Sequence, residues 1–154
     1  MADELEFKID TRELDEALAK LPDNIQKRVV GKALEAAGDV MLEAIKAHTP
    51  ERTDEPTPGS NSLPEGILRE DMHAQVIVSE TKGAKLRVGP TDIAGHVARW
   101  INNGWALTSH DGRKIRDIPG KHFIEAGFDE SAQGALDAMT DALAEGIEKF
   151  NEEK

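Results

Sequence analysis

The sequence predicts a single α+β domain, in which a small antiparallel sheet packs against a long N-terminal helix and a C-terminal helix. Two long segments carry apolar residues at helical spacing, and shorter segments between them alternate apolar and polar residues as half-buried strands do. Strands and helices in this order are typical of α+β proteins. The 154 residues match the usual size of one domain, so residues 1–154 are assigned to one.

The first predicted element is a strand from Leu5 to Asp10, where apolar and polar residues alternate. Thr11 then offers an N-cap oxygen to a short helix whose apolar positions reach Leu21. Pro22 has no amide hydrogen, so it either interrupts this helix or begins the next one.

A long amphipathic helix is predicted from Ile25 to about His48. Small residues fill the stretch from Ala33 to Gly38, which favours the close approach of another backbone. Gly31 and Gly38 each cost about 1 kcal/mol relative to alanine inside a helix.

The segment from Thr49 to Gly66 is predicted to be a long extended loop. It contains four prolines and two glycines, and Leu63 is its one aliphatic residue. Loops of this length in compact domains are usually functional or disordered. We expect that something outside the protomer holds this loop where it is ordered.

Alternating residues then predict an antiparallel hairpin, with strands from His73 to Val78 and from Lys85 to Gly89. Asp92 is expected to cap a short helix. This helix carries its large apolar residues at spacings i, i+4, i+7 and i+8, which are Ile93, Val97, Trp100 and Ile101.

A projecting β-loop is predicted after Gly104, because Asp111-Gly112 lies between two extended flanks. The stretch Gly127–Ser131 then leads into the C-terminal helix, which has an apolar stripe from Ala132 to Phe150.

The chain carries no recognisable catalytic or metal-binding motif. It has no cysteine, no histidine pair at i, i+4, and no glycine-rich phosphate loop. Ser109, His110 and Asp111 are consecutive, whereas a catalytic triad must converge in space. We therefore expect no enzyme activity, no cofactor and no metal. A small hydrolase with an unrecognised carboxylate site remains an alternative, since 30 acidic residues make chance pairs common.

Charge is distributed unevenly along a chain whose net charge is −11. The range from Lys82 to Arg116 contains seven Lys or Arg and two Asp, whereas the range from Gly120 to Lys154 contains three Lys and nine Asp or Glu. Such halves suit either complementary surfaces between subunits or ordinary solvated faces. An alternative function is nucleic-acid binding by the basic segment 82–116, although the overall acidity opposes phosphate contacts.

No apolar run approaches the roughly 20 residues that span a bilayer. The first ten residues, MADELEFKID, also lack the apolar core of a signal peptide. A soluble protein made in the cytoplasm is expected, without a membrane partner.

Several short motifs follow one another in a suggestive order. A long helix ends in Ala47-His48-Thr49-Pro50, and Gly66-Ile67-Leu68-Arg69 follows the loop. The predicted hairpin ends in Val88-Gly89. The last two motifs are Asn102-Asn103-Gly104-Trp105 and the stretch Pro119-Gly120-Lys121-His122-Phe123-Ile124-Glu125-Ala126.

Over about residues 30–150, this order resembles the HK ninety-seven gene-product-ten-like family of minor proteins from long-tailed bacteriophages. The matching residues are Pro50, Gly66, Leu68, Arg69, Gly89, Gly104, Trp105, Pro119, Phe123 and Ala126. The chain departs from the family pattern at Asn102, where an acidic residue is usual, and at Glu125, which replaces a proline. The stretch Glu51–Glu65 is also longer than the usual short turn.

The resemblance implies a non-enzymatic structural protein of the virion neck, assembled in the cytoplasm of a bacterial host. It would form a homo-oligomeric ring, such as a hexamer or dodecamer, between the portal or head-closure connector and the tail terminator or tail tube. DNA would pass through without sequence-specific binding, and an acidic lumen would let it slide.

Two groups of residues are predicted to do different work. The fold anchors are Trp100, Phe123, Pro119 and Gly104, with Trp100 in the core beside Val97 and Ile101. The contacts with another subunit or a partner are assigned to Trp105, His110, Arg113, Lys114, Arg116 and Arg69.

Overall fold

The fold comes from a computed structural model that describes residues 12–51, 64–79, 83–91 and 93–152. The helices are α1 (Arg12–Ala19), α2 (Asp23–His48), α3 (Ile67–Glu70), α4 (Gly95–Asn103) and α5 (Phe123–Glu152). The strands are β1 (Met72–Ser79), β2 (Gly83–Pro90), β3 (Gly104–Thr108) and β4 (Lys114–Pro119). This order confirms the predicted α+β class. The predicted strand Leu5–Asp10 and the caps Thr11 and Asp92 lie outside the described residues.

Helix α2 is the centre of the fold, and its ends lie where the sequence predicts. Pro22 precedes it, and the Pro22 carbonyl accepts hydrogen bonds from the amides of Ile25 and Gln26, both at 2.9 Å. At the other end, the Thr49 hydroxyl donates to the Ile45 carbonyl at 2.8 Å. Pro22 therefore separates α1 from α2 rather than kinking one continuous helix.

Helix α5 packs antiparallel along α2, and glycines bring the two backbones close together. A Cβ on Gly127 would lie 2.6 Å from the Ile45 Cα, and one on Gly146 would lie 2.7 Å from a Val29 methyl. Two apolar clusters flank this contact. One is centred on Val29 with Leu21, Ala33 and Leu143, and the other on Ile45 with Leu68, Met72, Ala94, Ala98 and Phe123.

The β1–β2 hairpin also packs on α2. Its antiparallel register pairs Met72 with Pro90 and Ser79 with Gly83. A Cβ on Gly38 would lie 2.8 Å from Leu86 and 3.2 Å from Ala74. At Gly38 the small-residue stretch Ala33–Gly38 therefore admits side chains of this hairpin, whereas Ala33 packs in the Val29 cluster with Leu143.

Helix α5 begins earlier than predicted. The sequence suggests a start in the Gly127–Ser131 stretch, whereas the helix begins at Phe123. Glycine is a poor helix former, so Gly127 is an unexpected residue for a helix interior. In the structure it is a buried interior residue that permits the close approach to Ile45.

The prediction that Trp100 lies in the core was wrong, because α4 turns a different face inward. Its buried residues are Ala98 and Asn102, with Ala94 just before the helix. Trp100 is 54% exposed and Ile93 is 61% exposed. The small alanines let α4 lie close to the core, so Trp100 faces outward, whereas Ile101 packs against the edge of the Ile45 cluster.

Asp71 joins the α3–β1 turn to the start of α4. Its carboxylate accepts hydrogen bonds from the Thr91 hydroxyl and from the Ala94 amide, the latter at 2.9 Å. Burial acts to raise the pKa of Asp71, but the bonds from Thr91 and Ala94, together with the nearby His73, hold this pKa below its ordinary value. A buried carboxylate therefore fixes where α4 begins.

Candidate functional site

The junction between α4 and β3 builds the base of the candidate site. Gly104 adopts a φ of +81°, and a Cβ there would lie 2.4 Å from the Ile118 carbonyl. Only glycine fits both conditions without strain. The amides of Lys121 and His122 donate to the last carbonyls of α4, those of Ile101 and Asn102, at 2.8 and 3.0 Å. The end of α4 and the start of α5 are thereby locked together.

Asn102 forms the centre of this junction and is only 5% exposed. Its side-chain oxygen accepts a hydrogen bond from the Ile124 amide at 3.0 Å, in the first turn of α5. Its side-chain amide donates to Glu125 at 3.0 Å and to Asn103 at 2.9 Å. One buried amide thus satisfies a free helix donor and holds two neighbouring polar groups.

An apolar groove of about 800 Å³ lies in front of this junction. Both tryptophans of the chain line it. Trp100 comes from α4 and makes an edge-to-face contact with His96, their ring centroids 5.5 Å apart, whereas Trp105 comes from β3. The other lining residues are Pro50, Glu51, Pro64, Gly66, Ile67, Leu68, Arg69, Val97, Ile101, Ile118, Pro119 and Lys121. We call this surface the tryptophan groove.

The charged residues at the tryptophan groove are mainly basic. Arg69 lies 3.4 Å from Glu51, and both side chains are more than half exposed. Lys121 is exposed and has no ion-pair partner within the described ranges. The groove therefore joins an apolar floor to a rim with more cations than anions.

The β3–β4 hairpin extends away from the groove and has no core of its own. Trp105 pairs with Ile118 and Leu107 pairs with Arg116, so these four side chains share one face. The register shifts after Leu107, and this irregularity accompanies an Ile115 that is 60% exposed. The apolar surface of the groove thus continues outward along the hairpin to Arg116.

The tip of the hairpin is a polar turn rather than a catalytic constellation. The Ser109 hydroxyl donates to the Asp111 carboxylate and to the Arg113 carbonyl. The hydrogen bond from Ser109 lowers the pKa of Asp111. His110 is exposed beside them and has no part in these bonds. The three consecutive residues therefore build a turn, as the projecting β-loop predicts.

Basic residues of the hairpin differ in how they are neutralised. Arg113 lies 3.2 Å from Asp111, and Lys114 lies 2.6 Å from Asp117. Arg116 has no ion-pair partner in the part of the chain that the structure describes. Its charge is therefore the one on this hairpin most available to an outside anion.

The structure divides the predicted site residues into three places. Four of them line the tryptophan groove, namely Trp100, Trp105, Pro119 and Arg69. The residues on the outer hairpin are His110, Arg113, Lys114 and Arg116. Gly104 and Phe123 lie behind the groove, where Phe123 is 2% exposed.

The sequence did not indicate that several other residues line the groove. Ile67, Val97, Ile118 and Lys121 line the groove but come from four separate segments. No local pattern brings such segments together. The usable signal was the resemblance, because its motifs around Gly66, Gly104 and Pro119 all meet at this one place.

The described residues show little sign of other chemistry. Within residues 12–51, 64–79, 83–91 and 93–152, no three His, Asp or Glu side chains gather as metal ligands. No helix in the same ranges is long and apolar enough to cross a membrane.

The fold and the groove define a small α+β protein with an exposed apolar surface of the kind that contacts other proteins. Residues 12–104, more than half of the chain, match the model of the HK97-gp10-like family, described as "Bacteriophage HK97-gp10, putative tail-component". The chain belongs to this family, which confirms the resemblance over the matched range. As a phage tail component, it is a structural protein of the virion. No curated protein and no solved structure matches it significantly.

Proposed function

We propose that this protein forms a homo-oligomeric ring in the virion neck, between the portal or head-closure connector and the tail terminator or tail tube. The observation that carries the proposal is the tryptophan groove in a chain of a phage tail-component family. A monomer rarely leaves two tryptophans exposed in one apolar surface unless that surface contacts another molecule. A hexamer or dodecamer is the expected ring.

The tryptophan groove and the β3–β4 hairpin serve as the assembly surface. Tryptophan is a frequent hot-spot residue at protein interfaces. Trp105 is 41% exposed and Ile115 is more exposed, because the hairpin has no core of its own in which to bury them. Contact with a neighbour would cover these side chains.

DNA passes through this ring without being read. The exposed side of α5 carries a series of carboxylates, including those of Asp129, Asp137, Asp141 and Glu148. Acidic surfaces repel phosphate, so a lumen that presents such a surface would favour sliding over retention. The acidic helix and the basic hairpin lie on different parts of the protomer, which supports contacts between unlike surfaces.

Complementation tests this function directly. In a phage that carries this gene, its deletion should leave filled heads and separate tails. Added wild-type protein should join them into infectious particles. Protein with Trp100→Ala and Trp105→Ala should fail to do so while keeping its helical circular dichroism spectrum. Normal particles in the deletion strain would contradict the proposal.

The nucleic-acid alternative has a separate test. It predicts salt-dependent DNA retention that weakens when Arg113, Lys114 and Arg116 are all changed to Gln. Two of these three cations already pair with Asp111 and Asp117, which reduces the charge they offer to phosphate. We expect no gel shift of duplex DNA at low salt.

A further inference from the structure

We propose that the tryptophan groove binds residues 5–10 of a second copy of this chain, joining copies head to tail. This inference rests on the proposed ring and names the contact that builds it. The sequence of the segment, the charge of the groove rim and the distance between α1 and the groove lead to it.

The proposed occupant has the chemistry that the groove requires. Leu5, Phe7 and Ile9 alternate with polar residues, so an extended chain would present all three on one side. Three such side chains span about 13 Å along a strand. That apolar row suits a groove lined by Trp100, Trp105 and their aliphatic neighbours.

Charge favours the same pairing. Residues 1–11 contain four carboxylates, at positions 3, 4, 6 and 10, and one lysine, Lys8. Two cations could pair with these carboxylates, namely Lys121 on the rim of the groove and Arg116 further along the hairpin. Neither has an ion-pair partner within the described ranges. An acidic segment with an apolar row therefore complements a basic rim around an apolar floor.

The positions of α1 and the groove favour binding between copies rather than within one. Residues 1–11 precede α1, and α1 contacts the fold through Leu18 at the Val29 cluster. The groove lies by Leu68 and Ile101, at the Ile45 cluster. Val29 and Ile45 are 16 residues apart on α2, which corresponds to about 24 Å. Helix α1 does not pack extensively along α2.

Such a contact joins two different surfaces, so each bound copy still offers a free segment and a free groove. Repetition of a head-to-tail contact gives a closed ring when the rotation closes. The unlike surfaces also explain how a chain of net charge −11 associates with itself, because the groove rim is locally basic.

Intrinsic fluorescence gives a specific test, because Trp100 and Trp105 are the chain's two tryptophans and both line the groove. A synthetic peptide of residues 2–11 contains no tryptophan. Titrated into protein that starts at Arg12, it should shift the emission to the blue with saturation. A scrambled peptide should not. Changing Arg116 and Lys121 to Glu should weaken binding about tenfold at low salt.

Mixing two complementary variants distinguishes binding between copies from binding within one. Protein starting at Arg12 keeps its groove, and protein with Trp100→Ala and Trp105→Ala keeps its segment. Each alone should be a monomer, and the mixture should give a one-to-one dimer. As a matched control, Glu6→Gln with Lys8→Gln alters the opposite side of the segment and should preserve assembly.

Two results would overturn the inference. One is a protein starting at Arg12 that assembles as the full chain does, and the other is a peptide that leaves the tryptophan emission unchanged. Either would leave the neck function standing if rings still form. Peptide binding without any ring would instead count against the proposed ring while supporting the contact.

Discussion

The side-chain amide of Asn102 donates a hydrogen bond of 3.0 Å to the Glu125 carboxylate. These two residues are two of the three places where the sequence departs from the motif pattern that its resemblance implies, and they contact one another. An acidic residue at position 102 would face the negative charge of Glu125. The neutral amide removes that repulsion and still accepts the bond from the Ile124 amide.

Exchanging the two functional groups tests this compensation. We expect Asn102→Asp to lower the free energy of unfolding by about 1 kcal/mol, because two carboxylates then meet. Adding Glu125→Gln should recover most of the loss, since glutamine can donate to the new aspartate. Urea denaturation of the four proteins in the cycle gives the coupling energy. A coupling near zero would show that the two departures are independent.

Close packing of α5 on α2 gives a second prediction. Gly127→Ala should destabilise the protein by several kcal/mol, since its Cβ would lie 2.6 Å from the Ile45 backbone. Gly134→Ala is the matched control, because Gly134 is on an exposed part of α5 and a Cβ there would lie 3.4 Å from a Val40 methyl. There we expect little change or a gain of up to about 1 kcal/mol from helix propensity. Equal melting temperatures for the two variants would refute this packing.

The lowered pKa of Asp71 predicts that the folded protein loses stability in acid. Its pKa is lowered from 3.8 in the folded protein, so its contribution is complete above that unfolded value and disappears as pH falls through the lowered pKa. Asp71→Asn should therefore destabilise the protein at pH 7, by about 1–3 kcal/mol. The difference in the free energy of unfolding between this variant and the wild type should become smaller below pH 4. Denaturation curves at pH 7 and pH 3 measure both, and a gap that stays constant would contradict the assignment.

The two tryptophans should behave alike. Because both line the groove, Trp100→Ala and Trp105→Ala should each impair assembly while shifting the melting temperature by only a few degrees. Phe123→Ala is the control for folding, because Phe123 is buried and its loss should lower the free energy of unfolding by about 3–5 kcal/mol. A Trp100 variant that unfolds as readily as the Phe123 variant would restore the core role predicted from the sequence.

Much of the fold was predictable because it depends on local patterns. Helix α2, the β1–β2 hairpin and the projecting hairpin follow from apolar periodicity and turn residues. The orientation of α4 was not predictable in this way. Its large apolar residues suggest an inward face, whereas Ala94 and Ala98 are the residues that fit against the core. Periodicity identifies an apolar stripe but does not show whether the same chain or a neighbour covers it.

The candidate site was predicted only in part, for the same reason. Trp105 and Arg69 were assigned to contacts, and the groove contains both. Its other walls come from segments far apart in sequence, and Asn102 at its base is recognisable only from its hydrogen bonds. Side chains that depend on tertiary neighbours leave no periodic signal.

The mass of the purified protein, measured by size exclusion with light scattering, tests the central claim most directly. The protomer has a mass of 16.8 kDa. We predict a closed oligomer of wild-type protein, with a mass that is a fixed multiple of this value. The folded double variant Trp100→Ala, Trp105→Ala should elute at the protomer mass. Wild-type protein that remains at 16.8 kDa at every concentration, with or without purified connectors and tail tubes, would contradict the account.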